Sequence, residues 1–222
     1  MNLREELFKN QDLTYRDFHK RLVPNVDEDK IIGVRLPVLR KIARQAFREN
    51  AENLLEYYEE VMVYGFTLGM KKGSAEEHIS DLQRFVPLID NWAVCDSCCA
   101  SFKFTKQYRA QMAEFIKSYL GQGEYETRFA VIMLMDYYLE DEYIDEVLTI
   151  FSRINSDCYY VNMAVAWAVS AAFVKYRAKT IALLKSSELS ADVQNKAIQK
   201  IRDSYRVSQE DKDYLKSFKI KA

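Results

Sequence analysis

Three short stretches, Phe129-Ala130-Val131-Ile132, Met163-Ala164-Val165-Ala166 and Lys196-Ala197-Ile198-Gln199, decide the fold. Their alanines stand 34 and 33 residues apart, and each is preceded two positions earlier by a polar residue: Arg128, Asn162 and Asn195. Between the first two stretches runs another helical stripe, Ile144, Val147, Leu148 and Phe151. A fixed period with two helices per unit is the mark of an α-solenoid, because one helix pair cannot bury its own apolar face and stacks on the next. The pattern predicts an all-α chain: one α-α superhelix over residues 1–222, with a concave groove. Arg128, Asn162 and Asn195 open equivalent helices, so the reading places them side by side along that groove.

The rest of the sequence agrees with long helices and short loops. Of 222 residues, 49% are hydrophobic and 13% aromatic, with only 6 Gly and 3 Pro to punctuate them. Leu36, Leu39, Ile42, Ala43 and Ala46 trace a stripe behind Pro37, a first-turn proline. Leu54, Tyr57, Tyr58, Val61, Met62 and Phe66 trace a second, and Ile79, Leu82, Phe85 and Val86 a third. Stops are legible at Gly73, at Gly121 to Gly123 and near Asn155-Ser156-Asp157, the last also able to cap the following helix.

Charge and cysteine usage exclude several function classes. The formal charge is −1, from 32 basic and 33 acidic residues, so a nucleic-acid surface must come from segregated charge. Acids cluster at Glu52, Glu56, Glu59 and Glu60 and from Glu140 to Glu146. Bases cluster at Arg35, Arg40, Lys41 and Arg44, at Lys103, Lys106 and Arg109, and at Lys196, Lys200, Arg202 and Arg206. Either the bases line the groove and track phosphates, or each cluster is a solvated helix face. The start MNLREELFKN lacks the apolar core of a signal peptide, and no run has transmembrane length, which points to a cytoplasmic protein without membrane contact. Cys95 and Cys98 form a CxxC. No second pair exists, and His19 and His78 are not at ligand spacing, so the thiols read as small apolar packing rather than a metal site.

One constellation stands out chemically. In Asp90-Asn91-Trp92-Ala93-Val94-Cys95-Asp96 a helix stacks Trp92 and Asp96 on one face. The only other tryptophan is Trp167, and an isolated Arg128 opens its helix. As physics alone, two core indoles and a surface acid would account for the set, since large aromatics are usually buried.

These pieces together resemble the bacterial DNA alkylation repair proteins built from HEAT-like repeats, the AlkD-like DNA glycosylases. The resemblance runs through Ile32-Gly33-Val34-Arg35-Leu36-Pro37-Val38-Leu39-Arg40, Asn91 to Asp96, Thr127-Arg128-Phe129-Ala130, Val165-Ala166-Trp167 and Asn195 to Ile201, in order over nearly the whole chain. It implies a monomer that binds alkylated duplex DNA in a concave basic cleft and removes cationic N3- or N7-alkylated purines, without metal or organic cofactor. Asp96 matches the catalytic aspartate, and Trp92 and Trp167 the tryptophans on the damaged nucleotide's sugar and backbone. Arg128 matches the arginine gripping the backbone; the repeat register adds Asn162, the basic cluster adds Lys196 and Lys200, and the position of Phe18 completes the DNA-binding set. A carboxylate facing an oxocarbenium-like sugar stabilises it electrostatically, and indole faces assist a developing cation. The chain departs from the family at Phe18, six positions before Pro24, where the glycosylase carries tyrosine, and in its near-neutral charge. A catalytically silent DNA binder and a solenoid scaffold for a protein partner therefore stand as alternatives.

Overall fold

The computed structural model describes residues 1–186 and 188–220. Among the described residues every regular element is helical and no strand occurs. The chain divides into two compact units, a first over Met1–Phe115 and a second beginning at Ile116. No change in composition marks that division. The first unit holds α1 (Leu3–Lys9), α2 (Leu13–His19), α3 (Leu36–Glu49), α4 (Tyr58–Leu68), α5 (Ala75–Phe85) and α6 (Trp92–Cys99), followed by α7 (Arg109–Lys117) at the division. The second holds α8 (Glu124–Tyr137), α9 (Ile144–Arg153), α10 (Tyr159–Lys175), α11 (Arg177–Ser186), α12 (Ala191–Asp203) and α13 (Gln209–Tyr214). None of the described helices is long and apolar enough to cross a membrane.

The alanine register fixes the second unit. Ala130, Ala164 and Ala197 are fully buried, on α8, α10 and α12. α10 packs against both α8 and α12, while α9 packs against α11, which makes the two layers of an α-α solenoid. Small side chains let the middle helix be enclosed: Ala164, Ala166, Ala168 and Ala172 are buried on different faces of α10, together with Val161, Val165 and Val169. The acidic run at 140–146 is tied down by lysines of neighbouring helices. Asp145 pairs with Lys179 at 2.7 Å and Glu146 with Lys117 at 3.0 Å.

In the first unit α4 is the hub, packed on α3, α5 and α6. Gly65 permits the approach to α6, since a Cβ there would run into the Cys98 side chain and the Phe85 ring. Pro37 sits in the first turn of α3, and the exposed Arg40, Lys41 and Arg44 lie opposite its buried Leu39, Ile42, Ala43 and Ala46. Two expectations change here. The stripe from Leu54 does not begin a helix: the carboxylate of Glu60 accepts the backbone N–H groups of Glu56 (2.8 Å) and Tyr57 (3.2 Å), and α4 starts only at Tyr58. Leu55, just before, has a positive φ of 56° and cannot belong to a helix. The acids Glu59 and Glu60 are moreover buried, not part of a solvated face.

Glu60 is held by Arg4 of α1 at 2.8 Å. Glu59 has no cation of its own in that pair. Its carboxylate accepts three successive backbone N–H groups, from Ile32 (2.9 Å), Gly33 (2.7 Å) and Val34 (3.1 Å). Consecutive amides can converge on one anion when the backbone between them turns through left-handed space. Gly33, at φ +95°, supplies that turn, and its carbonyl accepts from Asp12 N at 2.9 Å. A Cβ at Gly33 would lie 2.6 Å from Arg16 Cβ and 2.9 Å from Asp12 O.

Glu59→Ala leaves three buried N–H groups without their acceptor and is expected to lower stability by about 3 kcal/mol or more. Gly33→Ala is expected to lower it by about 1–3 kcal/mol through strain and contact. Urea midpoints measure both, and an unchanged midpoint for either variant would contradict this account of the loop.

Candidate functional site

Helix α6 is cut by two opposed faces. Asn91 caps it, its side chain accepting from Val94 N at 2.9 Å. Ala93, Val94, Cys95, Cys98 and Cys99 are buried, and burial pushes the Cys98 thiol well above its ordinary range. Cys98 donates to Met62 O at 3.7 Å, so the CxxC serves packing against α4. Trp92 and Asp96 occupy the other face, one turn apart and half-buried. The indole is fixed by a hydrogen bond from Trp92 Nε1 to Leu22 O at 2.8 Å.

Beside Trp92 opens a pocket of about 230 Å3. Tyr15, Phe18 and His19 of α2, Tyr58 and Met62 of α4, and Trp92 and Ser97 of α6 line it. Phe18 therefore shares a site with Trp92, its ring 52% exposed at the rim. A chain of polar groups runs along the wall: His19 Nε2 meets the Tyr58 hydroxyl at 3.0 Å, and His19 Nδ1 the Tyr15 hydroxyl at 3.4 Å. Burial holds the His19 pKa below its ordinary 6.5, which favours the neutral imidazole. Burial also raises the Tyr58 phenol well above its usual range, and the nearby charge of Glu59 adds to this.

The second unit carries the other expected residues. Trp167, on α10, is 40% exposed and borders an open pocket of about 550 Å3 shared with Ser170, Lys200, Tyr205 and Arg206. The structure thus brings Trp167 and Lys200 together. Lys196 lies elsewhere on α12, paired with Asp192 and 5.6 Å from the Tyr159 ring centroid. Arg128, Asn162 and Asn195 do recur at equivalent places in α8, α10 and α12, but each is turned onto backbone oxygen. Arg128 is only 5% exposed and donates to Tyr160 O at 2.6 Å; Asn162 donates to Ser156 O at 2.9 Å. Asn195 donates to Ile220 O at 2.9 Å and accepts from Ile220 N at 3.0 Å. These polar residues tie repeats and the C-terminal segment together.

A family model described as DNA alkylation repair enzyme matches residues 2–201. The chain belongs to that family. No curated protein matches it. Membership gives a role in DNA alkylation repair, with DNA as the partner that the role requires. Within this family member, sequence reasoning missed Tyr15, His19 and Tyr58 as pocket residues, and Tyr205, the most exposed large hydrophobic side chain among the described residues, beside Trp167. The signal for the first pair was present: Tyr15 and His19 are four apart and therefore share a face of α2.

A neutral His19 has a pH signature. Its folded pKa lies below the unfolded value near 6.5, so the folded state binds fewer protons and stability rises with pH through that range. Stability is lost as pH falls below the unfolded value towards the folded one. His19→Phe is therefore expected to flatten the dependence of unfolding free energy on pH between about 7.5 and 5.5. His78, also buried and also lowered, leaves a residual slope. Parallel slopes for variant and wild type in urea titrations would refute the assignment.

Proposed function

We propose that this protein is a monofunctional DNA glycosylase that hydrolyses the N-glycosidic bond of cationic N3- or N7-alkylated purines in duplex DNA. The observation that carries the reading is the α6 face: a half-buried Asp96 one turn from an indole at the mouth of an aromatic pocket, in a chain of the DNA alkylation repair family. Alkylation makes the purine a good leaving group, so departure needs little acid catalysis. The C1′–N bond breaks with its electron pair going to the purine, an oxocarbenium-like sugar develops, water adds at C1′ and its proton is lost. Asp96 stabilises that cation electrostatically and orients the water. Trp92 and Trp167 present electron-rich faces to the sugar and backbone. Arg128 and Lys200 are assigned to phosphates, Asn162 and Lys196 to flanking contacts, and Phe18 to apolar contact beside the lesion.

A second reading, a DNA-binding relative without catalysis, has two observations in its favour. Phe18 offers no hydroxyl at the position where the family's glycosylase carries tyrosine. Arg128 is mostly enclosed and already donates to Tyr160 O.

Incubation with a duplex carrying 7-methylguanine, scored for released base, separates the two. Under the glycosylase reading Asp96→Asn keeps size and DNA affinity but lowers the release rate by roughly 10²–10³. Wild-type protein that binds the duplex, with affinity falling as salt rises, yet releases no base would instead establish the silent binder.

A further inference from the structure

We propose that the groove between the C-terminal halves of α10 and α12 grips the sugar–phosphate backbone of duplex DNA, with Tyr205 and Arg206 as contacts that the assignments above do not include. This rests on DNA as the partner and extends the contact surface of the second unit beyond Trp167. Helix spacing builds the groove. Trp167, Ser170, Ala171 and Val174 stand at i, i+3, i+4 and i+7 and form one stripe of α10. Lys200, Asp203 and Ser204 follow the first three at 33 positions, the same interval that separates Ala164 from Ala197, and form the facing stripe. α10 packs on α12, so the two stripes become the walls of the open cavity of about 550 Å3, and residues 204–206 close its far end. From Trp167 to Val174 the helix rises roughly 10 Å, against about 3.4 Å per phosphate along one strand of a duplex, so more than one phosphate fits.

Tyr205 is the residue that most needs a partner. Its ring is fully exposed, although the turn that carries it is held on both sides: Ser204 Oγ accepts Arg206 N at 3.2 Å, and Val207 is buried. Trp167 and Val174 are exposed on the same groove, which gathers apolar surface at one place. The cations there are uncommitted. Arg177, Lys179 and Lys196 of the same unit are each held by an aspartate, whereas Lys200 and Arg206 make no ion pair among the described residues. One acid lines the groove, Asp203, and it accepts from Gln199 Nε2 at 2.8 Å. Ammonium and guanidinium groups meet phosphates, while a tyrosine hydroxyl donates to a phosphate oxygen with its ring against the deoxyribose. These contacts are to sugar and phosphate and leave every base stacked. An acidic protein surface would also suit the cations. Continuity with Trp167, assigned to sugar and backbone and standing on the same cavity, favours DNA.

The test measures affinity for an undamaged, fluorescein-labelled duplex as a function of salt. Lys200→Ala and Arg206→Ala are each expected to reduce the slope of log K against log salt by about 0.9, and Arg206→Lys to keep it. Tyr205→Ala is expected to weaken binding about tenfold with the slope unchanged, since a hydrogen bond to a charged group is lost but no charge. Asp203→Asn is expected to tighten binding, a reversal of sign that a merely structural role for the turn would not produce. Tyr205 and Arg206 are exposed, so their variants should melt as wild type does and keep the test open if Lys200→Ala fails to fold. Unchanged affinity of Tyr205→Ala, or an unchanged slope for Arg206→Ala, would overturn the proposal. So would poly-glutamate that binds as tightly as the duplex and is lost in the same variants, which would make the groove a protein-docking face. Base release from a 7-methylguanine duplex by wild type separates this proposal from the glycosylase reading. Release together with unaltered binding by the variants removes the groove and leaves the glycosylase. The expected losses of binding without any release keep the groove and remove the glycosylase, and a wild type that binds no duplex at low salt overturns both.

Discussion

A single buried carboxylate organises the first unit. Glu59 gathers the amides of residues 32 to 34, and this forces the chain into the left-handed turn that only Gly33 takes without strain. That loop delivers α3 and passes within hydrogen-bonding distance of Asp12, the residue that caps α2. Because Glu59 is the neighbour of Tyr58, the same anchor sets where the Tyr58 ring stands, and through it His19. Burial raises the Glu59 pKa while the three amides act to lower it, so the charge is held by dipoles instead of a counter-ion. The geometry of the aromatic pocket is downstream of this one contact.

The molecule sorts its charge in a way that the net value of −1 conceals. Two acids are enclosed and already partnered, Glu60 by Arg4 and by two amides and Asp81 by Lys71 and Arg84, while Asp145 and Glu146 pair with lysines at the surface. Arg40, Lys41 and Arg44 stay exposed on the outer face of α3. Counting ionisable residues therefore says little about what a polyanion would meet, whereas asking which acids are enclosed says more.

The sequence carried the helical class and the repeat because buried alanines at a constant interval are a direct consequence of close helix packing, and Ala130, Ala164 and Ala197 obey it without exception. The Trp92–Asp96 pairing was equally legible, since i and i+4 share a face whatever surrounds them. The false helix start at Leu54 was not, because the carboxylate that captures the preceding amides belongs to a residue further on. Glu59 and Glu60 read as surface acids for a sound statistical reason: glutamate is almost never fully buried unless paired, and their partners lie on α1 and in the loop before α3. Tyr15, His19 and Tyr58 escaped notice because two separate helices bring them together. Arg128 was legible as unusual, but residue type alone could not show that it donates to the backbone of the next repeat's helix.

The distribution of thiols has a practical side. Cys95, Cys98 and Cys99 are sealed between α6 and its neighbours, while Cys158 is exposed at the N-cap of α10, the helix that bears Trp167. A maleimide reagent applied to the folded protein thus meets one accessible sulfur out of four. The native chain already carries a single-site handle for a fluorophore or spin label, nine positions before Trp167 in the chain, and no cysteine has to be engineered in or out to use it.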